Sequence, residues 1–282
     1  MRQRNWVSAH QLNSWASRAE AKSRLPELIR RLVHATVETA NLEHVSFPAG
    51  EEIHRPGYDG ETNVRQGNAK VPEGIAYWEL GTDKNIKKKL DKDFQKRLKS
   101  RGPGNFGKVT YIAITPRDFQ NKKQWAEEKN KLGHWREVRV YDSDDIEQWL
   151  EMAPGVSLWL SLYVSIPPEG LVDLSRYWQN LQDCLKQKLP SKALLVSRKK
   201  TIESFKEWLD SASNVLNVYG QSPQEVVDVF AAWVDSLPEA EQAAIVSRAI
   251  IVEKADYWRE LVDSEQRLIL ICAEQQIGRA HV

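Results

Sequence analysis

The sequence predicts an α/β protein: a mixed central sheet flanked by helices, followed by a smaller parallel α/β domain. Three observations carry this expectation. Short apolar runs such as "GIAYWEL", "KVTYIAIT" and "REVRVYD" alternate with stretches of helical periodicity such as "NIKKKLDKDFQKR" and "NKKQWAEEKNKLG". The pattern breaks at "SIPPEG", Ser165 to Gly170, and then resumes. The 282 residues, 41% of them hydrophobic, are enough for one large domain or two ordinary ones.

Taken in order, Pro26 to Ala40 predicts the first long helix, with Leu28, Ile29, Leu32, Val33 and Thr36 or Val37 on one side. "HVSFPAG", "EEIHRPGYDG" and "GIAYWEL" read as three strands, the middle one ending in a glycine-flanked turn. Thr82 and Asp83 are suited to cap the basic helix that follows, which runs to about Ser100. "KVTYIAIT" then reads as a buried strand, "NKKQWAEEKNKLG" as a helix ending at Gly133 and "REVRVYD" as a strand. "SDDIEQWLEMAPG" predicts a helix with a serine-capped, acidic start.

Past the break, a helix from Leu174 to Lys188 leads into strand "KALLVS", helix "TIESFKEWLDSA" and strand "VLNVYG". Helix "SPQEVVDVFAAWVDSL", strand "RAIIVE", helix "KADYWRELV" and strand "RLILICA" complete a parallel α/β order. The expected domains are residues 1–166 and 167–276, with residues 277–282 a tail that follows no helix or strand logic and reads as non-native, the chain then being a fragment.

The formal charge of +1 does not announce a nucleic-acid binder, but the stretch from Lys84 to Arg101 is densely basic. Apolar runs shorter than the roughly 20 residues that span a bilayer, and no signal-peptide core at the N-terminus, predict a cytoplasmic protein with no membrane partner. Cys184 and Cys272 lack metal-binding spacing and are expected as buried thiols. Trp125, Trp149, Trp208 and Trp233 sit at apolar helix positions, where core packing with one partner for each indole N–H is the expectation.

The candidate chemistry lies between Pro56 and Arg97. Glu79 ends an apolar strand-like run, where a charge costs free energy unless it binds something, and Asp59 precedes it by a hairpin. Two acidic groups so placed are suited to hold Mg²⁺ or Mn²⁺, with Lys89 from the next element to steady a phosphate or the attacking water. Lys89, Asp93 and Arg97, spaced by four, share a helix face: either a solvated row of ion pairs, or Lys89 in the site with Arg97 on phosphate and Asp93 orienting either. Lys84, Lys88, Lys92 and Lys96 would grip a nucleic-acid backbone without reading sequence. His54, beside Arg55 and close before Asp59, is the one histidine able to support such a site. "GPGNFGKV" has phosphate-loop spacing, but Val109 replaces the metal-contacting hydroxyl and the loop precedes a strand, so it reads as a flexible turn.

The tripartite pattern resembles the PD-(D/E)xK restriction-endonuclease-like nucleases, whose core runs helix, three strands, helix, strand. It more specifically resembles nuclease-like domains at the N-termini of bacterial anti-phage proteins that continue into a signalling NTPase, through the phrases "FPAG", "RPGYDG", "VPEGIAYWELGT", "KKKLDKDFQKR", "TPRDF" and "VRVYDSDDIEQWLE" between Trp15 and Trp159. The resemblance implies Asp59 and Glu79 as metal ligands, DNA as substrate, and as partners an NTPase or sensor region beyond this chain and further copies in a homo-oligomer. The motif lysine is replaced by Gly81; Lys89, migrated to the following helix, takes its part, with Lys84 and Lys88 as alternatives. Residues 171–276 carry no catalytic signature and resemble the connecting segment or a degenerate NTPase-like fold, with Ser222 a helix cap. The expected function is thus a metal-dependent DNA endonuclease effector. Its rivals are an inactive nuclease-like module that binds nucleic acid or a protein, and a scaffold whose basic helix is only a solvated face.

Overall fold

The computed structural model describes residues 6–48, 57–99, 106–211 and 215–272. The chain divides into two compact units, Met1–Pro167 and Pro168–Val282. His54, Arg55 and the 277–282 tail lie outside the described residues.

Unit 1 is built on a five-stranded mixed sheet in the order β1 (Leu42–Ser46), β2 (Gly60–Val64), β3 (Gly74–Leu80), β4 (Thr110–Ile114), β5 (Glu137–Tyr141). The first three strands pair antiparallel and the last three parallel. A parallel neighbour requires a crossover, and the basic helix α3 (Ile86–Lys99) and the helix α4 (Lys122–Asn130) provide the two. Alternate strand residues enter separate cores. Val64, Ala76, Trp78, Ile112 and Ile114 pack against α1 (Ala9–Trp15), α2 (Ala19–Thr36), α5 (Ser143–Glu151) and α6 (Pro154–Val164). Tyr111, Ala113 and Val138 face the other way, onto Leu90 and Phe94 of α3 and Trp125 of α4.

Several elements differ from the sequence expectation. The first long helix starts at Ala19 rather than Pro26, and tertiary packing of Ala21 and Leu25 carries it through the proline. Helix α6 was not expected as a separate element; it is buried almost all round, so no amphipathic stripe marks it. Of the expected middle strand, residues 51–56 lie outside the described residues and 57–59 form no strand pairing; the strand observed begins at Gly60, where "GETNV" alternates buried and half-buried residues and the Thr62 hydroxyl accepts the indole N–H of Trp78 at 3.0 Å. The caps also shift by a residue or more. Asn85, not Thr82 or Asp83, accepts from the Lys88 N–H at 3.3 Å, and Asp142, not a serine, caps α5 in a reciprocal capping box with Asp145.

Unit 2 is mixed rather than all-parallel. Its sheet runs β6 (Leu171–Asp173), β7 (Ala249–Val252), β8 (Ile269–Cys272), the first pair antiparallel and the second parallel. "KALLVS" forms helix α8 (Ser191–Leu195), because Ala and Leu are good helix formers and the run is too short for apolar pattern to decide. "VLNVYG" forms no strand. Helices α7 (Leu174–Asp183), α9 (Lys199–Asp210), α10 (Pro223–Asp235), α11 (Glu239–Val246) and α12 (Ala255–Val262) complete the unit; α11 was not foreseen. Cys184 is exposed and Cys272 half-buried, and neither forms a disulfide among the described residues, so neither is the buried thiol expected. The indoles of Trp125 and Trp149 donate to Asp91 and Thr36, each at 3.0 Å, but those of Trp208 and Trp233 have no partner among the described residues. Among the described residues no helix is long and apolar enough to cross a membrane.

Gly60 fixes the entry to β2. A Cβ there would lie 2.2 Å from a ring carbon of Phe47, which is buried edge-on against Trp78. Gly60→Ala is expected to destabilise unit 1 by about 1–3 kcal/mol through overpacking, read by chemical denaturation. An unchanged midpoint would mean that Phe47 moves aside freely.

Candidate functional site

The β2–β3 register creates the site. Gly60 pairs with Trp78, so one step further out Asp59 comes beside Glu79, both on the α3 face of the sheet. The Asp59 Oδ2 accepts the backbone N–H of Leu80 at 2.8 Å, which fixes the carboxylate at the end of β3. Glu79 is 3% exposed, buried because its strand position faces α3.

Helix α3 answers with its inner face. Asp93 and Arg97 are buried, one and two turns beyond Lys89. The Arg97 guanidinium donates to Glu79 Oε1 and to the carbonyl of Gly57, and lies 4.5 Å over the ring of Tyr58. Tyr58 stacks in turn on Tyr77 with ring centroids 4.1 Å apart. The Lys89 ammonium is bound by both oxygens of Asp93, at 2.8 and 3.0 Å. Its stem passes Gly81, where an added Cβ would sit 3.5 Å from Lys89 Cγ. Lys89 thus lies alongside the position two residues after Glu79.

Of the sequence-predicted residues, Asp59, Glu79, Lys89, Asp93 and Arg97 come together. Lys84, Lys88, Lys92 and Lys96 do not enter the site; they are exposed, those from 88 to 96 at four-residue spacing along α3. Arg97, expected on phosphate, is instead buried and turned inward as the counter-ion of Glu79. Two residues were missed. Tyr58 adjoins Asp59 in sequence, and its aromatic ring was the available signal. Tyr111, within "VTYIAIT", is fully buried with no partner for its hydroxyl among the described residues, and nothing short of the β3–β4 register places it on the face of Glu79.

The electrostatics follow from burial. The Glu79 carboxyl is pushed up to about 7, by desolvation first and by the neighbouring charge of Asp59, with the Arg97 hydrogen bond offsetting part. Asp59 is also raised by burial, against the pull of the Leu80 N–H and of Lys89 and Arg97. Burial disfavours the charged forms of Lys89 and Arg97, yet the bonds to Asp93 and Glu79 more than restore them, and both are raised.

Among the described residues no group of three or more His, Cys, Asp or Glu side chains is arranged to hold a metal ion. Asp59 and Glu79 nonetheless offer two carboxylates side by side, hard oxygen donors of the kind Mg²⁺ takes one or two of while keeping several waters. The chain matches no protein-family model, no curated protein and no solved structure.

A carboxyl that holds its proton more tightly in the folded protein stabilises the fold below its ordinary range and loses that contribution as pH rises through its folded value. For Glu79 the window runs from 4.5 to about 7. In metal-free buffer the stability of Glu79→Gln relative to wild type should therefore improve between pH 5 and pH 8, by up to about 3 kcal/mol. Thermal or urea unfolding across that range measures it, and a flat difference would mean that Glu79 titrates normally.

Proposed function

We propose that unit 1 is a metal-dependent endonuclease of the restriction-endonuclease-like kind, acting on DNA as the effector domain of a bacterial defence protein. One observation carries the reading: Asp59 and Glu79 meet at the end of β3 while Lys89 lies along Gly81, the position where the resembled motif has its lysine. The element order α2, β1, β2, β3, α3, β4 supports the reading, being the order that the resemblance implies.

In this reading Asp59 and Glu79 hold Mg²⁺ or Mn²⁺. When bound, the ion supplies Lewis-acid polarisation of the phosphodiester and acidifies the attacking water. Lys89, kept in place by Asp93, offsets the charge that develops on the phosphoryl oxygens. Lys88, Lys92 and Lys96, exposed on α3, grip the backbone without sequence readout. A second reading, a nuclease-like module that binds without cutting, is favoured by one fact: Glu79 and Lys89 are already paired with Arg97 and Asp93.

Plasmid nicking by the full chain in Mg²⁺ or Mn²⁺ is the test. Asp59→Ala, Glu79→Ala and Lys89→Ala should each lose at least about 100-fold in rate, the scale of removing a transition-state electrostatic contact. Cleavage that survives in Glu79→Ala would sink the endonuclease reading, and DNA binding without cleavage by wild type would favour the second. The lysine row has its own measurement. Replacing Lys88, Lys92 and Lys96 with alanine should lower the salt slope of duplex binding by roughly 0.9 per lysine. An unaltered slope would place the DNA elsewhere.

A further inference from the structure

Tyr111 stands inside the sheet, on β4 between β3 and β5, and pairs with Tyr77 on the face that carries Glu79. Its ring is packed edge-on by Phe94 at 5.3 Å and against Trp135 at 5.2 Å. A phenylalanine would fill that space equally well. The hydroxyl is the part that packing does not explain, since it is fully buried and, among the described residues, no group accepts from it or donates to it. Buried polar groups are satisfied in the great majority of cases, by bound water where protein atoms do not reach.

The surroundings say what the hydroxyl serves. Phe94, in contact with the Tyr111 ring, follows Asp93 on α3, and Ala113, the next residue of β4 on this face, pairs with Glu79. The charges of Glu79 and Asp93 are close enough to act on the phenol, together with that of Arg97. Arg97 engages Oε1 of Glu79, and a carboxylate can accept further donors on either oxygen.

We propose that Tyr111 is a positioning residue of the carboxylate site: through one bound water, its buried hydroxyl holds Glu79 set for a divalent cation. This deepens the reading of Asp59 and Glu79 as cation ligands and rests on it. Glu79 pairs with the small Ala113, and Tyr111 is the preceding residue of β4 on the same face. Groups that orient a metal ligand from behind typically contribute 10–100-fold to metal affinity.

The test is Mn²⁺ binding to the full chain by titration calorimetry, beside thermal unfolding in metal-free buffer. Tyr111→Phe should unfold at the wild-type temperature or above it, since the phenyl ring keeps the packing, while its Mn²⁺ dissociation constant rises about tenfold. Val138→Ala is the control, because Val138 pairs with Tyr111 across β4 and β5 and carries no polar group. It should unfold earlier and bind Mn²⁺ as wild type does. Equal Mn²⁺ affinity in Tyr111→Phe and wild type would overturn the positioning role and leave the metal site standing. If Val138→Ala weakens binding as much as Tyr111→Phe, packing alone is responsible and the role falls. No Mn²⁺ binding by wild type would remove the metal site itself, and the role of Tyr111 with it.

Discussion

The burial of Glu79 is the constraint around which unit 1 is arranged. A carboxylate 3% exposed at the end of a central strand is costly unless charges answer it, and here the answer comes from a helix eighteen residues later in the chain. Arg97 reaches Glu79 only because α3 lies on that face of the sheet, with Leu90 and Phe94 packed on Tyr111 and Ala113. Core packing and the charged cluster therefore depend on the same helix placement. The outer side of α3 is tied down separately: Asp91 accepts from the Trp125 indole and pairs with Lys129 at 2.6 Å, fastening α3 to α4. The exposed lysines thus project from a helix held on two sides.

The far ends of the strands are joined by one side chain. Arg117, just past β4, donates to the carbonyl of Thr82 at 2.8 Å and to that of Ala16 at 3.0 Å. It links the loop after β3 to the junction of α1 and α2, across the sheet edge where the carboxylates gather. Lys122 works in the same manner at β5, bridging Asp142 at 2.5 Å and Asp145 at 2.6 Å. Loops at the carboxyl ends of parallel strands are where α/β proteins commonly build their sites, and here they are pinned by ion pairs and side-chain to backbone bonds.

Much of unit 1 was legible in the sequence, because "GIAYWEL", "KVTYIAIT" and "REVRVYD" are continuous apolar runs and the basic helix has a clear periodicity. Glu79 stood out for a local reason, being a charge inside such a run. Polar β2 was misplaced because "GETNV" owes its strand to pairing partners, not to its own residues. The same limit explains "KALLVS", where six residues fit either period, and α6, whose even burial erases any stripe. Asp59 and Glu79 were recognisable as a pair, but the pairing of Glu79 with Arg97 and the place of Tyr111 were not. Both depend on which strand neighbours which, and register is a property of the assembled sheet.

The block of rings beside Arg97 has an optical consequence. Tyr58 stacks on Tyr77, and both stand edge-on to Trp135 with ring centroids 6.5 and 6.4 Å away. Arg97 rests on the first of these rings while holding Glu79. Any event that draws the guanidinium off Tyr58 changes the field around a nearby indole, so Trp135 is a built-in fluorophore for the state of the carboxylate pair, one that needs no label.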